Sequence, residues 1–137
     1  MLVIENDVNT FLRQTLVGVL GTTGADGSPH LAPIWYNWED DSAYMFTSRT
    51  SRKWRNIHGK PYASLCVDTR DAPYSYVILS GPIKEVDKTV FEVVSSMCYR
   101  YYGEKKGEIF AERYRGNPAD IVAFKLTADR IVKNLNM

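Results

Sequence analysis

The feature that most restricts the fold is a pair of β-rich segments meeting across a tight turn near the N-terminus. TLVGVLGTT (15–23) runs into GADG and resumes as SPHLAPIWYNW (28–38). A turn that short joins antiparallel neighbours, because parallel strands need a crossover of about a dozen residues or more. The pattern recurs along the chain. EDDS turns the backbone into AYMFTS (43–48), YASLCVD (62–68) is separated by DAP from YSYVILSGPIKEV (74–86), and DIVAFKLTADRIV (120–132) returns to β late in the sequence. These segments predict a mainly β protein with α elements, a six-stranded antiparallel split β-barrel with short flanking helices and a kink or bulge at Gly81 and Pro82. No βαβ alternation is present, which excludes a Rossmann fold. GTTGADG spaces its glycines three apart and reads as a hairpin turn, not a dinucleotide fingerprint.

Helical periodicity is confined to the intervals. Val8, Phe11 and Leu12 predict a short opening helix with Asn6 as cap and Asp7 in the first turn. Trp54 and Ile57 lie on one face of a short helix that Gly59 and Pro61 end. Val90, Val93, Val94 and Met97 predict a helix over 88–102, and 108–114 a shorter one. With 137 residues and no linker or repeat, the chain reads as a single split β-barrel domain, 1–137.

Charge is distributed more tellingly than its total suggests. A net charge of +1 gives no whole-surface attraction to nucleic acid or membrane. No stretch approaches the roughly 18 apolar residues of a membrane span, and MLVIENDVNTF lacks a signal-peptide pattern, so a cytoplasmic protein is expected. Cys66 and Cys98 are far apart and read as plain thiols; His30 and His58 have no ligand-spaced partners, so no metal site is expected. His30 is expected to make an edge-of-strand hydrogen bond. Trp35 and Trp38 should face opposite ways along their strand.

Against that neutral background, FTSRTSRKWRN (46–56) concentrates cations and hydroxyls. No Asp or Glu lies between Asp41 and Asp68, whereas Arg49, Arg52, Lys53, Arg55 and Lys60 do. With Ser51 as N-cap, Arg52 and Lys53 fall in the first helical turn, where each opposes the helix dipole by about 0.3–1 kcal/mol. Thr47, Ser48, Thr50 and Ser51 add donors. Cations, hydroxyls and free backbone N–H groups at one helix start make an anion socket that suits a phosphate monoester.

The stretch resembles the FMN-phosphate motif of the pyridoxamine 5′-phosphate oxidase-like split β-barrel family: Thr47, then three residues, then Ser51-Arg52-Lys53. GVLGTTGADGSPHLAPIWY upstream and PYASLCVD and YSYVILSGPIKEV downstream resemble the same family, so that the likeness spans about residues 16–86. The resemblance implies a homodimer with cofactor in clefts at the interface and a small-molecule substrate. By carry-over Thr47, Ser51, Arg52 and Lys53 hold the phosphate, with Ser48 a further hydroxyl beside them. Ala32, Pro33, Ile34 and Trp35 lie along the flavin-like ring, and Asn56 and Tyr76 line the same cleft. Two branches fit, one using FMN and one the deazaflavin F420; RKWRNI and PYSYVILSG look like the latter. Tyr76 stands where the oxidases carry glutamine, and their C-terminal Trp-and-Arg clamp is not evident, so pyridoxamine phosphate oxidation itself is not expected.

The function implied is hydride transfer between cofactor and substrate by an FMN- or F420-dependent oxidoreductase, with Tyr76, a bound water or solvent as proton source. Two other functions compete: a carrier of a phosphorylated cofactor without turnover, and a single-stranded nucleic-acid-binding barrel using the basic patch and aromatics.

Overall fold

The computed structural model describes residues 2–86 and 88–136. Helix α1 (Asn6–Leu12) is followed by β1 (Gly18–Thr23), β2 (Pro29–Ile34), β3 (Asn37–Glu39) and β4 (Ser42–Ser48). Then come α2 (Arg52–Gly59), β5 (Tyr62–Asp68), β6 (Tyr76–Glu85), α3 (Val90–Tyr102), α4 (Glu104–Ala111) with a 3₁₀ turn at Glu112–Tyr114, β7 (Ile121–Thr127) and β8 (Arg130–Asn134). All pairings are antiparallel. The order across the curled sheet is β2-β1-β5-β6-β7-β4-β3, with β8 on the other edge of β6.

The mainly β architecture agrees with the sequence, but the strand count does not: six were expected and eight are present among the described residues. The segment 28–38 breaks at Trp35–Tyr36. There the Tyr101 hydroxyl accepts from the Tyr36 N–H at 3.2 Å and donates to the Leu16 carbonyl at 2.6 Å, with the Tyr36 carbonyl a longer second acceptor at 3.1 Å, so a side chain takes the place of a strand neighbour. Trp35 and Trp38 therefore do not share one continuous strand. The segment 120–132 breaks where the chain crosses from β7 to β8. Strand β6 pairs with β7 through Ile83–Glu85 and with β8 through Tyr76–Ser80, so the crossover passes over Gly81. A Cβ there would stand 2.1 Å from the Thr127 carbonyl oxygen, which explains the glycine as a close approach rather than a bulge; the β5–β6 register runs through it unbroken.

The main core fills the curl of the sheet. Leu20, Leu65, Val67, Val77, Leu79, Met45, Phe124 and Leu126 from the strands meet Phe11 and Leu12 of α1 and Ile57 of α2, all essentially without solvent exposure. Helix α3 lies on the opposite side of the β4–β7 region, where Val93 and Met97 pack with Tyr44 and Ala123. Helix α1 begins one residue earlier in register than Asn6 would require: Glu5 occupies the cap position, with no side-chain cap bond, and Asp7 instead accepts from the Val8 N–H at 2.8 Å. The end of α1 is clasped from α3. Arg100 donates to the carbonyls of Leu12, Arg13 and Gln14 and stacks over Tyr36, whose hydroxyl donates to the Leu12 carbonyl at 2.9 Å. Burial pushes the Tyr36 phenol well above its ordinary value. Cys66 and Cys98 are free thiols, both raised by burial.

Candidate functional site

Strand β4 ends at Ser48, and a short turn delivers the chain to α2 at Ser51, the N-cap. Thr47 is buried on the inner face of β4 and its hydroxyl donates to Ser51 Oγ at 3.1 Å. Ser51 Oγ also accepts from the Trp54 N–H at 3.2 Å. With both those bonds accepted, the Ser51 hydroxyl keeps its own hydrogen to donate. Among the described residues, the Arg52 and Lys53 backbone N–H groups have no acceptor, as expected for a first helical turn. That turn contains no acidic residue, and neither Arg52 nor Lys53 is in an ion pair with a described residue. The start of α2 thus carries a hydroxyl, two free backbone N–H groups and two cations without described ion-pair partners, the kinds of group a phosphate satisfies; of Ser51, Arg52 and Lys53, only Arg52 also lines the cleft described below. Ser48 turns away from it: its hydroxyl bonds Thr50 at 2.9 Å. Arg49 is withdrawn too, paired with Glu85.

Asn56 sits one turn on from Arg52 and donates to Thr22 Oγ1 at 3.1 Å, tying α2 to β1. Across from it, on the inner face of β2, is His30, the register partner of Thr22. His30 Nδ1 is buried and has no partner among the described residues, so the expected edge-of-strand hydrogen bond is not made by that nitrogen. Beside these groups opens a cleft of about 530 Å³ between the 24–28 turn and α2, lined by Asp26, Ser28, Arg52, Arg55, Asn56 and Lys60 among others. Hydrogen bonds from Ser28 hold the Asp26 carboxyl below its usual range, and Arg52 adds a smaller attraction.

The remaining ring-side residues are dispersed within one chain. Ala32 is half-buried on the inner face of β2, Ile34 is in the core, and Pro33 is exposed on the outer face. Trp35 stacks on Tyr101, centroids 4.6 Å apart and planes 5° from parallel, and meets Tyr102 edge-on. Tyr76 pairs with Asp68, at the end of β5 remote from α2, and is not brought to the cationic turn by its own chain. Sequence reasoning missed the cleft itself. Arg52, Arg55, Asn56 and Lys60 recur at helical spacing on one side of α2, a signal that was present. The opposing 24–28 turn could not be placed against them before the hairpin was folded.

The register exposes one more surface. Pro33, Val19, Cys66, Ile78 and Val132 are successive cross-strand partners from β2 through β1, β5, β6 and β8, and they form an apolar row on the outward face of that leaf. Leu31, 70% exposed, lies in the next row. Helices α1 and α2 pack on the inner core and α3 on the β4–β7 side, so this row has no helix resting on it among those described.

A curled antiparallel sheet with a cationic, hydroxyl-rich turn at the start of α2 is an architecture of the split-barrel class. The chain belongs to the pyridoxamine 5′-phosphate oxidase family, whose model matches residues 4–133. A comparison with curated proteins gave no match. Among solved structures, a conserved hypothetical protein, Rv2991 of Mycobacterium tuberculosis, superposes with TM-score 0.81 at 24% identity, covering 97% of this chain and 85% of that one. An F420 reductase superposes with TM-score 0.76 at 23% identity, covering 95% and 98%. The heme storage protein HutZ of Vibrio cholerae superposes with TM-score 0.72 at 17% identity, covering 96% and 94%. Likeness at these identities establishes the shared fold. No described helix is long and apolar enough to cross a membrane.

Proposed function

We propose that the protein is an FMN- or F420-dependent oxidoreductase that works as a homodimer on a small organic substrate. The observation that carries this reading is the donor cluster at the start of α2: the free Ser51 hydroxyl, two backbone N–H groups, and Arg52 and Lys53 in a first turn without acid. Cations there disfavour the isolated helix, so a bound anion compensates a local cost. The residues fit a phosphorylated cofactor. In its bound state the cofactor supplies hydride transfer. The chain's own part is to fix the phosphate through Ser51, Arg52 and Lys53, to brace Ser51 through Thr47, and to keep α2 against β1 through Asn56. Arg55 and Lys60 line the cleft beyond Arg52.

Homodimerisation is part of the same proposal. Pro33 and Tyr76, two of the ring-side candidates, lie on the outward leaf with the apolar row, away from the cationic turn of their own chain. A second copy packed on that leaf would cover the row and offer its Tyr76 and Pro33 to the first copy's site. Tyr76 as a proton donor depends on that arrangement.

The test is the absorption spectrum of the purified protein followed by titration with FMN and F420. Tight binding of either supports the proposal; binding of neither, with the α2 resonances unmoved, refutes it. Because this fold also houses a heme storage protein, binding does not by itself imply turnover. Stopped-flow oxidation of the bound, reduced cofactor by candidate acceptors divides an enzyme from a carrier.

A further inference from the structure

A second cluster of cations lies outside the α2 site, on the α3 side of the sheet. Register places Tyr44 of β4 opposite Lys125 of β7, and Lys125 opposite Lys84 of β6, in one cross-strand row. Two lysines in directly paired positions repel each other. Neither Lys84 nor Lys125 has a carboxylate within ion-pair distance among the described residues. A third ammonium, that of Lys88, stands 4.8 Å from the centroid of the Tyr44 ring, and that of Lys125 stands 6.0 Å from it. Together Tyr44, Lys84, Lys88 and Lys125 surround a cavity of about 350 Å³, completed by Glu85 and Val86. Glu39 pairs with Lys88 and Glu85 with Arg49, which leaves Lys84 and Lys125 as the cavity's cations without a described ion-pair partner.

Tyr44 adds a hydrogen-bonding group at the cavity wall. It is only 7% exposed, yet its hydroxyl has no hydrogen-bond partner among the described residues. It lines both this cavity and a neighbouring one of about 150 Å³, shared with Asn37, Glu39, Lys88, Glu92, Val93 and Ser96. The ring is covered by its neighbours, while the hydroxyl reaches solvent and is free to bond a ligand in either cavity. One anion in the larger cavity would offset the like-charged lysine pair and accept from the Tyr44 hydroxyl.

We infer that this cavity is a binding site for a small oxyanion, a phosphate or carboxylate group, held by Lys84 and Lys125 with Lys88 and the Tyr44 hydroxyl beside them. It is separate from the proposed cofactor site: Tyr44 packs with α3, whereas Thr47 lies on the opposite face of β4 and bonds Ser51. The inference therefore does not depend on the cofactor reading.

Inorganic phosphate titrated at constant ionic strength, followed by ¹H–¹⁵N NMR, tests it. Amides of Tyr44, Lys84 and Lys125 should shift with one saturable isotherm, distinct from any at Ser51–Trp54. At a tenfold excess over Kd the protein's Tm should rise by about 5 °C. The Lys84→Gln/Lys125→Gln protein should lose the isotherm at this cavity, retain the one at α2, and melt no lower than wild type in phosphate-free buffer, because the repelling pair is gone. Linear, unsaturated shifts at these amides would overturn the inference, as would an isotherm that survives the double substitution. Asp87→Asn tests whether the chain neutralises its own lysines. If that variant alone lowers Tm while phosphate fails to saturate wild type, an internal carboxylate does the work and the inference falls.

Discussion

Lys53→Ala and Lys60→Ala remove the same charge from opposite ends of α2, and the difference between them measures whether the cofactor phosphate is gripped at one point. Lys53 is in the first turn and Lys60 is the C-cap, on nearly the same side of the helix. At 1.5 Å per residue the seven-residue separation is about 10 Å. A charge-assisted hydrogen bond from Lys53 contributes about 1.5–3 kcal/mol, so its loss should raise the cofactor Kd about 10- to 150-fold. A unit charge about 10 Å away in water contributes only about 0.4 kcal/mol before screening, and that distance exceeds the Debye length of about 8 Å at physiological salt. Lys60→Ala should therefore raise Kd less than about twofold. Fluorescence titration with whichever of FMN and F420 binds, at 0.15 M salt and repeated at 0.5 M, gives both numbers. Equal losses in the two variants, both vanishing at high salt, would show diffuse attraction and refute the socket at Ser51–Lys53.

Four further outcomes are expected. Gly81→Ala should destabilise the fold by about 2–3 kcal/mol or more in urea denaturation, since its Cβ meets the backbone of Thr127 and Ala128, which cannot move without loosening the β7–β8 crossover. Ile78→Glu, in the centre of the apolar row, should convert a dimer to monomer in sedimentation equilibrium while leaving the far-UV circular dichroism unchanged. Tyr36→Phe deletes the bond to the Leu12 carbonyl inside the core and should cost about 1 kcal/mol. The Asp7–Lys133 contact gives a pH signature: its hydrogen bond lowers the Asp7 carboxyl below 3.8, so its stabilisation is present above about pH 4 and lost as pH falls through the depressed value. Asp7→Asn should flatten the fall of Tm with acid over that window.

The strand segments and the capped start of α2 were legible because both are local. YASLCVD is β5 residue for residue, and Ser51 caps α2 as its spacing from the hydroxyls and cations predicted. A hydroxyl N-cap binds an N–H three residues on, a relation contained in a few consecutive side chains. Strand length was less legible, because a β-rich run does not reveal who its neighbours are. The break at Tyr36 is made by Tyr101, sixty-five residues away, and the break after Thr127 by the need to pass over Gly81.

By itself, then, the sequence determined an antiparallel, hairpin-built β fold and a cationic capped helix, features set by period-two patterning, turn chemistry and short-range hydrogen bonding. Tertiary structure decided which groups share space. It set the 24–28 turn opposite Arg52 and Lys60, carried Tyr76 to the outward leaf, and aligned Lys84, Lys125 and Tyr44 in one row. Such juxtapositions depend on strand register and on the direction in which the sheet curls, and a register slip of a single residue would turn every one of those side chains to the other face.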